Sequence, residues 1–446
     1  MATPRLPVIS LFSGALGLDQ GLEEAGFEVR VAVESDPDSV QTIQANRPNL
    51  PVIPRPIENV STEEILKAAG LKRGEPALVA GGPSCQTFST AGQRGSTEDP
   101  RGKLAHEFFR VVEEARPQFF LMENVRGITS AAEKHRPLAQ RDPAFPELKA
   151  DEELGSAFVR LLEDIQEKTG YYSVFEILNT ADFGVPQARE RLILLGSRGG
   201  EPLAMPKRTH ARYPALGQKP WVTLREALEG LEDPEPRFES IGPQKAQFLH
   251  HIPPGGNWRD LPEDLREEAM GKAYHSWGGR NGFLRRLAWD APAPTLTSRP
   301  ASKATMMCHP TKDRTLSVRE YARLQQFPDG WILYGGLQSQ YLQLGNAVPV
   351  GLGEALGKVL IEAKDGQPDP TRLGRIACPD ADLIRRLSEG PRTKMNPLRM
   401  RKVTDQKATR QWLACSGRPP IRRHIRELVE PVDKMELFRD LGKGAA

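Results

Sequence analysis

The chain has 446 residues, of which 38% are hydrophobic and 27% are charged, and its four cysteines lie far apart without a CxxC pair. This composition describes a globular protein with a large core, and it argues against a disulfide framework, a zinc cluster or a membrane span. The net charge of +3 is uneven, because residues 391–446 hold 14 Lys and Arg against 6 Asp and Glu, a local excess of +8. A basic segment of this kind is typical of a polyanion-binding tail, and equally of a solvated tail.

Short β-rich runs alternate with helical patterns between residues 8 and 200. The predicted strands are Val8–Phe12, Val29–Val33, Ala77–Ala80, Phe119–Met122, Ser173–Leu178 and Leu192–Gly196. The predicted helices are Leu18–Ala25, Ser39–Asn46, Ser61–Ala69, Lys103–Ala115 and Phe158–Lys168. This alternation predicts an α/β fold, a Rossmann-like and mostly parallel sheet with helices on both faces. In such sheets ligands bind at the carboxyl ends of the strands.

The pattern changes near residue 203, where Pro, Gly, Trp and His become frequent and clear periodicity is confined to Leu224–Leu231. We expect a smaller, irregular second domain over residues 203–310. Helical patterns return at Ser317–Gln326 and Val350–Ala363, which predicts that residues 311–366 rejoin the α/β domain of residues 1–202. Residues 367–446 are interpreted as a basic helical extension, with its best helix candidates at Arg422–Val429 and Met435–Leu441.

A glycine-bearing turn, Ser13-Gly14-Ala15-Leu16-Gly17, joins the first strand to the first helix. Glycine there lets the backbone approach a ligand closely. About twenty residues later Glu34 stands at the end of the second strand, where an acid can accept hydrogen bonds from ribose hydroxyls. The pair predicts a nucleoside-containing cofactor, and the spacing does not separate NAD from S-adenosylmethionine.

Two further strand ends carry reactive groups. The third strand leads into Gly81-Gly82-Pro83-Ser84-Cys85, a tight turn that presents a thiol among polar residues, whereas a structural cysteine usually sits among apolar neighbours. The strand Phe119–Met122 delivers Glu123 at its carboxyl end, where a partly desolvated carboxyl group can carry a proton near neutral pH. A strand-end acid is also a common helix cap, so the prediction depends on both groups opening onto one crevice.

A third polar run, Gln187-Ala188-Arg189-Glu190-Arg191, precedes an apolar strand. Strand alternation sends Arg189 and Arg191 to the same side. Two guanidinium groups beside an acid and a thiol suit a polar heterocycle or a phosphate, although surface arginines without a ligand remain the alternative.

In order and in kind, these stretches resemble the cytosine-5 DNA methyltransferase family, of the bacterial restriction-modification type. The shared stretches are Leu11-Phe12-Ser13-Gly14 with Gly17, Glu34, Gly81 to Ser89, Glu123-Asn124-Val125, Gln187 to Arg191, Arg319 to Pro328, and Gly345-Asn346-Ala347-Val348-Pro349. They span residues 8 to 350. Three features depart from the family pattern: Leu16 stands where a second glycine is usual, Ser84 stands where proline is more common, and Pro56-Ile57-Glu58 takes the place of the third motif without its clear acid.

The resemblance implies a covalent mechanism. The thiolate of Cys85 would add to carbon 6 of a cytosine flipped out of the duplex, and Glu123 would donate a proton to ring nitrogen 3. Carbon 5 would then take the methyl group of S-adenosyl-L-methionine. Arg191 would hold the carbonyl oxygen of the base, with Arg189 beside it.

The resemblance also implies binding residues and partners. By similarity, the cofactor pocket is lined by Phe12, Gly14, Gly17, Glu34, Leu104, Asn346 and Val348. Residues 86–101 would form the loop that closes over the flipped base, and residues 203–310 the target-recognition domain. Within that domain, the candidates for DNA contacts are Arg280, Arg285, Arg286, Arg299 and Lys303, for which structural roles are equally open.

The expected partner is double-stranded DNA, with a cognate restriction endonuclease as a possible second component of the system. No metal and no membrane are expected, and the protein would act as a cytoplasmic, nucleoid-associated monomer. A transfer-RNA cytosine methyltransferase on the same scaffold and a catalytically silent DNA-binding scaffold remain alternatives. An NAD-dependent enzyme is disfavoured because it does not explain the pairing of Cys85 with Glu123.

Overall fold

The computed structural model describes residues 4–83, 103–134, 136, 146–271, 274–275 and 281–377. The strands are β1 (Leu6–Leu11), β2 (Phe27–Val33), β3 (Val52–Ile53), β4 (Leu78–Gly81), β5 (Phe119–Val125), β6 (Tyr172–Asn179), β7 (Gln187–Ala188), β8 (Glu190–Ser197), β9 (His210–Ala211), β10 (Lys219–Pro220), β11 (Ala293–Pro294) and β12 (Arg375–Ile376). All six strands predicted between residues 8 and 200 are confirmed, to within three residues at either end.

Eight of these strands form one central sheet in the order β12-β6-β8-β5-β4-β1-β2-β3. Strand β1 pairs in parallel with β2 and β4, and β4 pairs in parallel with β5. Strand β8 runs antiparallel between β5 and β6, and β12 is antiparallel to β6. The carboxyl ends of β1, β2, β4, β5 and β6 therefore meet the amino end of β8 at one edge of the sheet. The predicted Rossmann-like, mostly parallel α/β class is confirmed.

Helices cover both faces of this sheet. The α-helices of the described residues are α1 (Gly17–Ala25), α2 (Pro37–Asn46), α3 (Thr62–Ala69), α4 (Lys103–Ala115), α5 (Ser156–Thr169), α6 (Leu224–Leu228), α7 (Pro243–Ala246), α8 (Glu263–Met270), α9 (Val318–Leu324), α10 (Leu337–Asn346) and α11 (Val350–Lys364). Those that pack on the two sheet faces include α1 and α11 on one side and α3, α4 and α5 on the other. Side-chain caps fix several of the starts. Asp36 accepts from the Ser39 amide at α2, and Ser317 forms a reciprocal capping box with Glu320 at α9.

Successive residues of the central strands point to opposite faces, and both faces are apolar. In β5, Phe120 and Met122 join the core beneath α3, α4 and α5, whereas Phe119 and Leu121 join the core beneath α1 and α11. All four side chains are at most 1% exposed. This two-sided burial is expected of strands sandwiched between helical layers, and it makes the sheet a rigid platform for groups at its edge.

Helices α1 and α11 pack with almost no side-chain spacer between them. A Cβ at Gly21 would lie 2.1 Å from the Val350 carbonyl oxygen, and one at Gly353 would lie 2.6 Å from the Leu18 carbonyl oxygen. A Cβ at Gly357 would lie 2.5 Å from the Ala25 Cβ. Glycine is required at these positions because the two backbones touch. This contact brings the last helix of the α/β domain against the turn that follows β1.

The stretch Leu337–Lys364 is apolar and long enough to cross a membrane by composition, with 67% of its most apolar window buried. It consists of two helices, because α10 ends at Asn346 and the Ala347-Val348-Pro349 segment is extended before α11 begins. Its apolar residues, such as Leu344 and Leu356, belong to the protein core. The apolar composition is explained by packing.

Residues 203–310 contain a small apolar cluster of their own, in which Leu249, Leu284 and Met306 are fully buried. Residues 1–388 nevertheless form one compact unit, and the second unit, residues 389–446, lies outside the described residues together with its two predicted helices. Strand β12 lies within the predicted C-terminal extension and pairs with β6. The proposed limits of the recognition domain stay predictions.

Candidate active site

The turn after β1 has an unusual backbone. Phe12, Gly14 and Leu16 have positive φ values of 55°, 51° and 64°. A Cβ on Gly14 would meet nothing within 4 Å, so the space over this residue is open. Leu16 takes the left-handed conformation that a glycine would adopt freely, and its side chain is only 2% exposed. Leucine at position 16, where a glycine is usual in the family pattern, therefore leaves the turn intact and adds a buried side chain to it.

Glu34 ties this turn to the end of β2. Its Oε2 accepts from the Gly14 amide at 2.8 Å, and its Oε1 accepts from the Ser35 and Asp36 amides, each at 2.8 Å. A carboxylate offers about four acceptor positions, so capacity remains for hydroxyl donors. The acid is thus held in a fixed orientation beside the open space over Gly14.

The other predicted cofactor residues fall into three places. Phe12 and Leu104 are partly buried and pack against the core on the α3–α5 face. Gly17 lies directly against the chain at Val348, where a Cβ would be 2.3 Å from the carbonyl oxygen. Asn346 is exposed at the end of α10. The packing therefore brings Gly17 and Val348 together with the β1 turn, although they are more than 300 residues apart in sequence.

Strand β4 ends against the same edge. A Cβ at Gly81 would lie 2.3 Å from the Leu11 carbonyl oxygen, and one at Gly82 would lie 2.8 Å from Glu123 Oε2. Asn124 Nδ2 donates to the Pro83 carbonyl at 3.3 Å. Cys85 and the loop 86–101 lie outside the described residues. The segment that leads to Cys85 is thus fixed against the acid at the end of β5.

Glu123 and Arg191 lie on neighbouring antiparallel strands. Val125 of β5 is paired with Arg191 of β8, so Glu123 is the diagonal neighbour of Arg191 on the same face. Glu123 Oε1 lies 2.5 Å from Arg191 Nε, and both side chains are about 10% exposed. The contact is a buried ion pair between the two strands.

Arg189 lies deeper, at 2% exposure. Its Nη1 donates to the Leu296 carbonyl at 3.3 Å and its Nη2 to the Gly345 carbonyl at 2.8 Å. The neighbouring Gln187 is hydrogen-bonded to Gln325 and to the Leu296 amide. The guanidinium group of Arg189 is therefore hydrogen-bonded to the backbone of segments that follow residue 290, and its two Nη atoms are already used within the protein.

The charges of this cluster are unbalanced. Burial lowers the pKa of Arg189 well below its usual value, with Arg191 lowering it further and Glu123 opposing the shift. Burial also lowers the pKa of Arg191, again opposed by Glu123. Two buried guanidinium groups face one carboxylate. Such a site has an excess of hydrogen-bond donors and favours an electron-rich partner.

Most of the arginines predicted as DNA contacts have partners within the protein. Arg286 is 3% exposed; its guanidinium donates to the carbonyls of Leu249, His309 and Lys312 and pairs with Asp313. For Arg286 the structure favours the structural role that the sequence left open, because its guanidinium holds two segments together. Arg285 donates to the Met306 carbonyl, Arg299 and Lys303 are exposed, and Arg280 lies outside the described residues.

Sequence reasoning missed Asp19, a 3% exposed acid on α1 directly behind the β1 turn. Burial raises its pKa to about 7, with a hydrogen bond from Ser10 and the charge of Arg47 opposing the shift. Its Oδ1 has no hydrogen-bond partner. An acid in the first turn of a helix is normally exposed, so the sequence Leu18-Asp19-Gln20 alone gives no sign that Asp19 is buried beside Ser10 of β1.

Comparison with known proteins gives a consistent assignment. A sequence model described as C-5 cytosine-specific DNA methylase matches residues 6–362. The chain is 36% identical over 356 residues to the Type II methyltransferase M.Sau96I of Staphylococcus aureus, covering 79% of this chain and 75% of the relative. It is 38% identical over 372 residues to M.PspPI of a Psychrobacter species, covering 81% and 80%, and 36% identical over 365 residues to M.Eco47II of Escherichia coli, covering 80% and 79%.

Solved structures support the fold. A prophage-encoded Escherichia coli protein described as a DNA modification methyltransferase is similar with a TM-score of 0.55 at 24% identity, covering 81% of this chain and 99% of the other. A methyltransferase of Entamoeba histolytica gives 0.50 at 15% identity, covering 81% and 99%. At these identities the likeness concerns architecture alone.

Proposed function

The chain belongs to the family of C-5 cytosine-specific DNA methylases, and we propose that it performs this reaction with Cys85 as nucleophile, Glu123 as proton donor and Arg191 as the group that holds the carbonyl oxygen of the base. Arg189 is assigned as a positioning residue, because its Nη atoms are engaged by the carbonyls of Leu296 and Gly345. This assignment replaces a direct role for Arg189 in the reaction.

The observation that carries the proposal is a buried carboxyl group beside two buried guanidinium groups at the carboxyl edge of β5. Glu123 Oε1 lies 2.5 Å from Arg191 Nε, and Arg189 Nε has no hydrogen-bond partner among the described residues. A buried polar atom without a partner is uncommon, so this cluster favours a polar ligand. A cytosine ring offers a carbonyl acceptor and a ring nitrogen on the same edge, which matches one donor and one carboxyl group.

The position of Cys85 in the sequence supports its assignment to this site. It follows Pro83 by two residues, and two residues of extended chain span about 7 Å. The Pro83 carbonyl is hydrogen-bonded to Asn124, the residue next to the acid. The buried guanidinium groups would also stabilise a thiolate at this edge, since cations favour the ionised form of cysteine.

In the proposed mechanism the thiolate of Cys85 forms a bond to carbon 6 of the flipped cytosine. The electron pair of the carbon 5–carbon 6 double bond moves to carbon 5, while Glu123 delivers a proton to nitrogen 3 and Arg191 donates to the carbonyl oxygen. Carbon 5 then forms a bond to the methyl group, and the demethylated donor leaves as a neutral thioether. A base removes the carbon 5 proton, nitrogen 3 returns its proton to Glu123, and the carbon–sulfur bond breaks, which restores the ring and the thiolate. The covalent step makes carbon 5 nucleophilic, which it is not in free cytosine.

The residues at the β1 turn fit a nucleoside-containing methyl donor. Gly14 leaves open space above the turn, and Glu34 is held beside it with acceptor capacity to spare. We propose that Phe12, Gly14, Glu34 and Leu104 contact S-adenosyl-L-methionine, with Gly17, Asn346 and Val348 shaping the rear of the pocket. When bound, this cofactor supplies the sulfonium methyl group. The chain's own contribution is to hold it over the same edge that carries Glu123.

We further propose that the protein acts on duplex DNA as a monomer in the cytoplasm, at the nucleoid, as the modification component of a restriction system with a cognate endonuclease. The curated relatives named above are Type II methyltransferases. The long region between Gly200 and Val318 supports DNA over transfer RNA as the substrate, because sequence recognition needs a region of that size.

Labelled methyl transfer tests the proposal. The wild-type chain should methylate duplex DNA and leave transfer RNA unlabelled, and bisulfite sequencing should place the mark at cytosine in a fixed context. Arg191→Lys should lower kcat by about 10²–10³-fold, because lysine cannot reproduce the donor geometry. Arg198→Lys is the matched control, since Arg198 follows the far end of β8 and is exposed.

Equal activity of Arg191→Lys and Arg198→Lys would show that Arg191 has no part in the reaction. Preferential labelling of transfer RNA would show that transfer RNA, and not DNA, is the substrate.

A further inference from the structure

Asp19 is a buried acid that the proposed mechanism does not use. It lies in the first turn of α1, two residues after Gly17, and is 3% exposed. Its Oδ1 is buried and has no hydrogen-bond partner among the described residues. A buried carboxylate without a paired cation is strongly disfavoured, so the neutral acid gains in such a setting. Asp19 is therefore a proton-binding group directly behind the turn that follows β1.

Two serine hydroxyls connect Asp19 to this turn. The side chain of Ser10, on β1, is hydrogen-bonded to the Asp19 carboxyl group. Ser10 Oγ lies 2.8 Å from Ser13 Oγ, and both serines are at most 9% exposed. Ser13 directly precedes Gly14, over which the space is open. Asp19 thus reaches the proposed cofactor side of the turn through two hydrogen bonds.

The protonation state of Asp19 sets the direction of this hydroxyl chain. An ionised carboxylate only accepts, so Ser10 must donate to Asp19 and can then accept from Ser13. The Ser13 oxygen then keeps both lone pairs for a positive group at the turn. A protonated carboxyl group can instead donate to Ser10, whose hydroxyl can then donate to Ser13. The ionised form therefore favours a cation at the turn through its charge and through the orientation of the chain.

No cation of the described residues is paired with Asp19. Glu23, one turn further along α1, has the same charge and disfavours ionisation, whereas Arg47, directly after α2, favours it. Arg47 is already paired with Glu23, with Nη2 3.0 Å from Oε2, and its guanidinium lies 5.3 Å from the centre of the Trp331 ring. The charge of Arg47 is thus largely used by other partners.

The charged residues of the other elements beside α1 have partners of their own. On α11, Glu354 and Lys358 are paired with each other, and their charges act on Glu24. On β2, Glu28 and Arg30 form an exposed pair at 3.7 Å. A cation that binds at the β1 turn would therefore be the first full counter-charge available to Asp19.

We propose that Asp19 makes the β1 turn selective for the cationic methyl donor over its neutral product, by releasing its proton when the donor binds. This inference rests on the proposed cofactor. S-adenosylmethionine carries one more positive charge than S-adenosylhomocysteine, because its sulfur is a sulfonium. Asp19 is a positioning residue, since it acts through Ser10 and Ser13. Once the methyl group has been transferred, Asp19 takes up a proton again and the product is held less tightly.

The size of the effect follows from Coulomb's law and linkage. A unit charge within about 10 Å of a buried carboxylate favours its ionised form by on the order of tenfold, at the effective dielectric of a protein site. Burial holds the pKa of Asp19 at about 7 in the free protein, so the ionised form predominates only above that pH. A tenfold coupling then raises the affinity for the donor by about fivefold between pH 6 and pH 8. The affinity for the neutral product gains nothing from Asp19.

The test compares both ligands in three full-length proteins: wild type, Asp19→Asn and the control Glu24→Gln. The control removes the same charge from an exposed residue of the same helix. Affinities for labelled S-adenosylmethionine and S-adenosylhomocysteine are measured by equilibrium dialysis between pH 6 and pH 8, without DNA. Proton release is measured at pH 7 by titration calorimetry in buffers of different ionisation enthalpy. Each value is compared with that of Asp19→Asn, which cancels the titration of the ligands and of all other groups.

At pH 8 Asp19→Asn should bind the donor about tenfold less tightly than wild type, and at pH 6 the two should differ by only about twofold. At pH 7 the donor should release about 0.4 of a proton more from wild type than from Asp19→Asn. Glu24→Gln should match wild type in both measurements. The product should bind equally to all three proteins, which also shows that the variants are folded.

Equal donor affinities of wild type and Asp19→Asn across this range would overturn the inference. A loss in Asp19→Asn that is the same for donor and product would also overturn it, because that is the result of a purely structural role. If the wild-type chain binds neither ligand, the proposed cofactor is wrong. If it binds both with the same dependence on Asp19, the cofactor stands and only the role of Asp19 fails.

Discussion

Replacing Leu16 should reverse the usual order of stability between alanine and glycine. Leu16 has φ 64° and ψ 28°, in the left-handed region, and its 2% exposed side chain packs with Ala32 and Ile43. Leu16→Ala loses the buried side chain, which costs about 2–5 kcal/mol, and keeps the unfavourable backbone. Leu16→Gly loses one further carbon, worth about 0.8 kcal/mol, but removes a left-handed penalty of about 1–2 kcal/mol. The glycine variant should therefore equal or exceed the alanine variant in stability.

Leu22 is the matched control. It is also on α1 and is fully buried, but its backbone is an ordinary right-handed helix. There glycine should be less stable than alanine by about 1 kcal/mol, because glycine is the poorer helix former. Across the two sites the Gly-minus-Ala difference should thus change by about 1–2 kcal/mol, the sum of these two effects.

The assay is urea unfolding of the four variants at 25 °C, followed by tryptophan fluorescence. A Leu16→Gly variant that falls below Leu16→Ala by the same amount as at Leu22 would refute the left-handed assignment. The affinity for S-adenosylmethionine is a second measurement. It should be kept in Leu16→Gly, because this variant should keep the turn that carries Gly14.

Further predictions concern buried residues. Gly17→Ala should destabilise by about 3 kcal/mol in urea unfolding, because its Cβ would lie 2.3 Å from the Val348 carbonyl oxygen; an unchanged midpoint would contradict this contact. Burial raises the pKa of Asp19 to about 7, so its contribution to stability is present below pH 4 and lost as the pH rises to 7. Asp19→Asn should therefore gain on the order of 4 kcal/mol over wild type between pH 4 and 8, and a constant difference across this range would refute the shift. Arg286→Ala should destabilise by about 3–5 kcal/mol, while the salt dependence of DNA binding stays unchanged; a reduced slope would restore Arg286 as a phosphate contact.

The fold within residues 1–202 could be predicted because its signals are local. A strand such as β5 is a continuous apolar run, and the helix α4 was predicted to the residue over Lys103–Ala115. Helices α8 and α10 were missed. Helix α8 is rich in charged residues, whereas the apolar face of α10, with Leu337, Tyr341 and Leu344 at helical spacing, was overlooked. The sequence of β8 also gives no local sign that the strand is antiparallel, because strand direction depends on how the chain connects the strands.

The candidate site was predicted through the ends of strands. Glu123 and Arg191 could be placed at one edge from the motif alone, and the structure brings them together. The partners of Arg189 could not be predicted, because they lie more than 100 residues away in the sequence. Contacts of this kind arise only when the last helices fold back over the β1 turn.

The most direct test of the central claim is covalent trapping. A duplex with 5-fluorocytosine at the target position, incubated with the wild-type chain and S-adenosylmethionine, should give a protein–DNA adduct that survives denaturing electrophoresis, since fluorine blocks the final elimination. Cys85→Ser should give no adduct, and Glu123→Gln should form it about 10²–10⁴-fold more slowly. An adduct that persists in Cys85→Ser, or its absence from a wild-type chain that methylates DNA, would contradict the account.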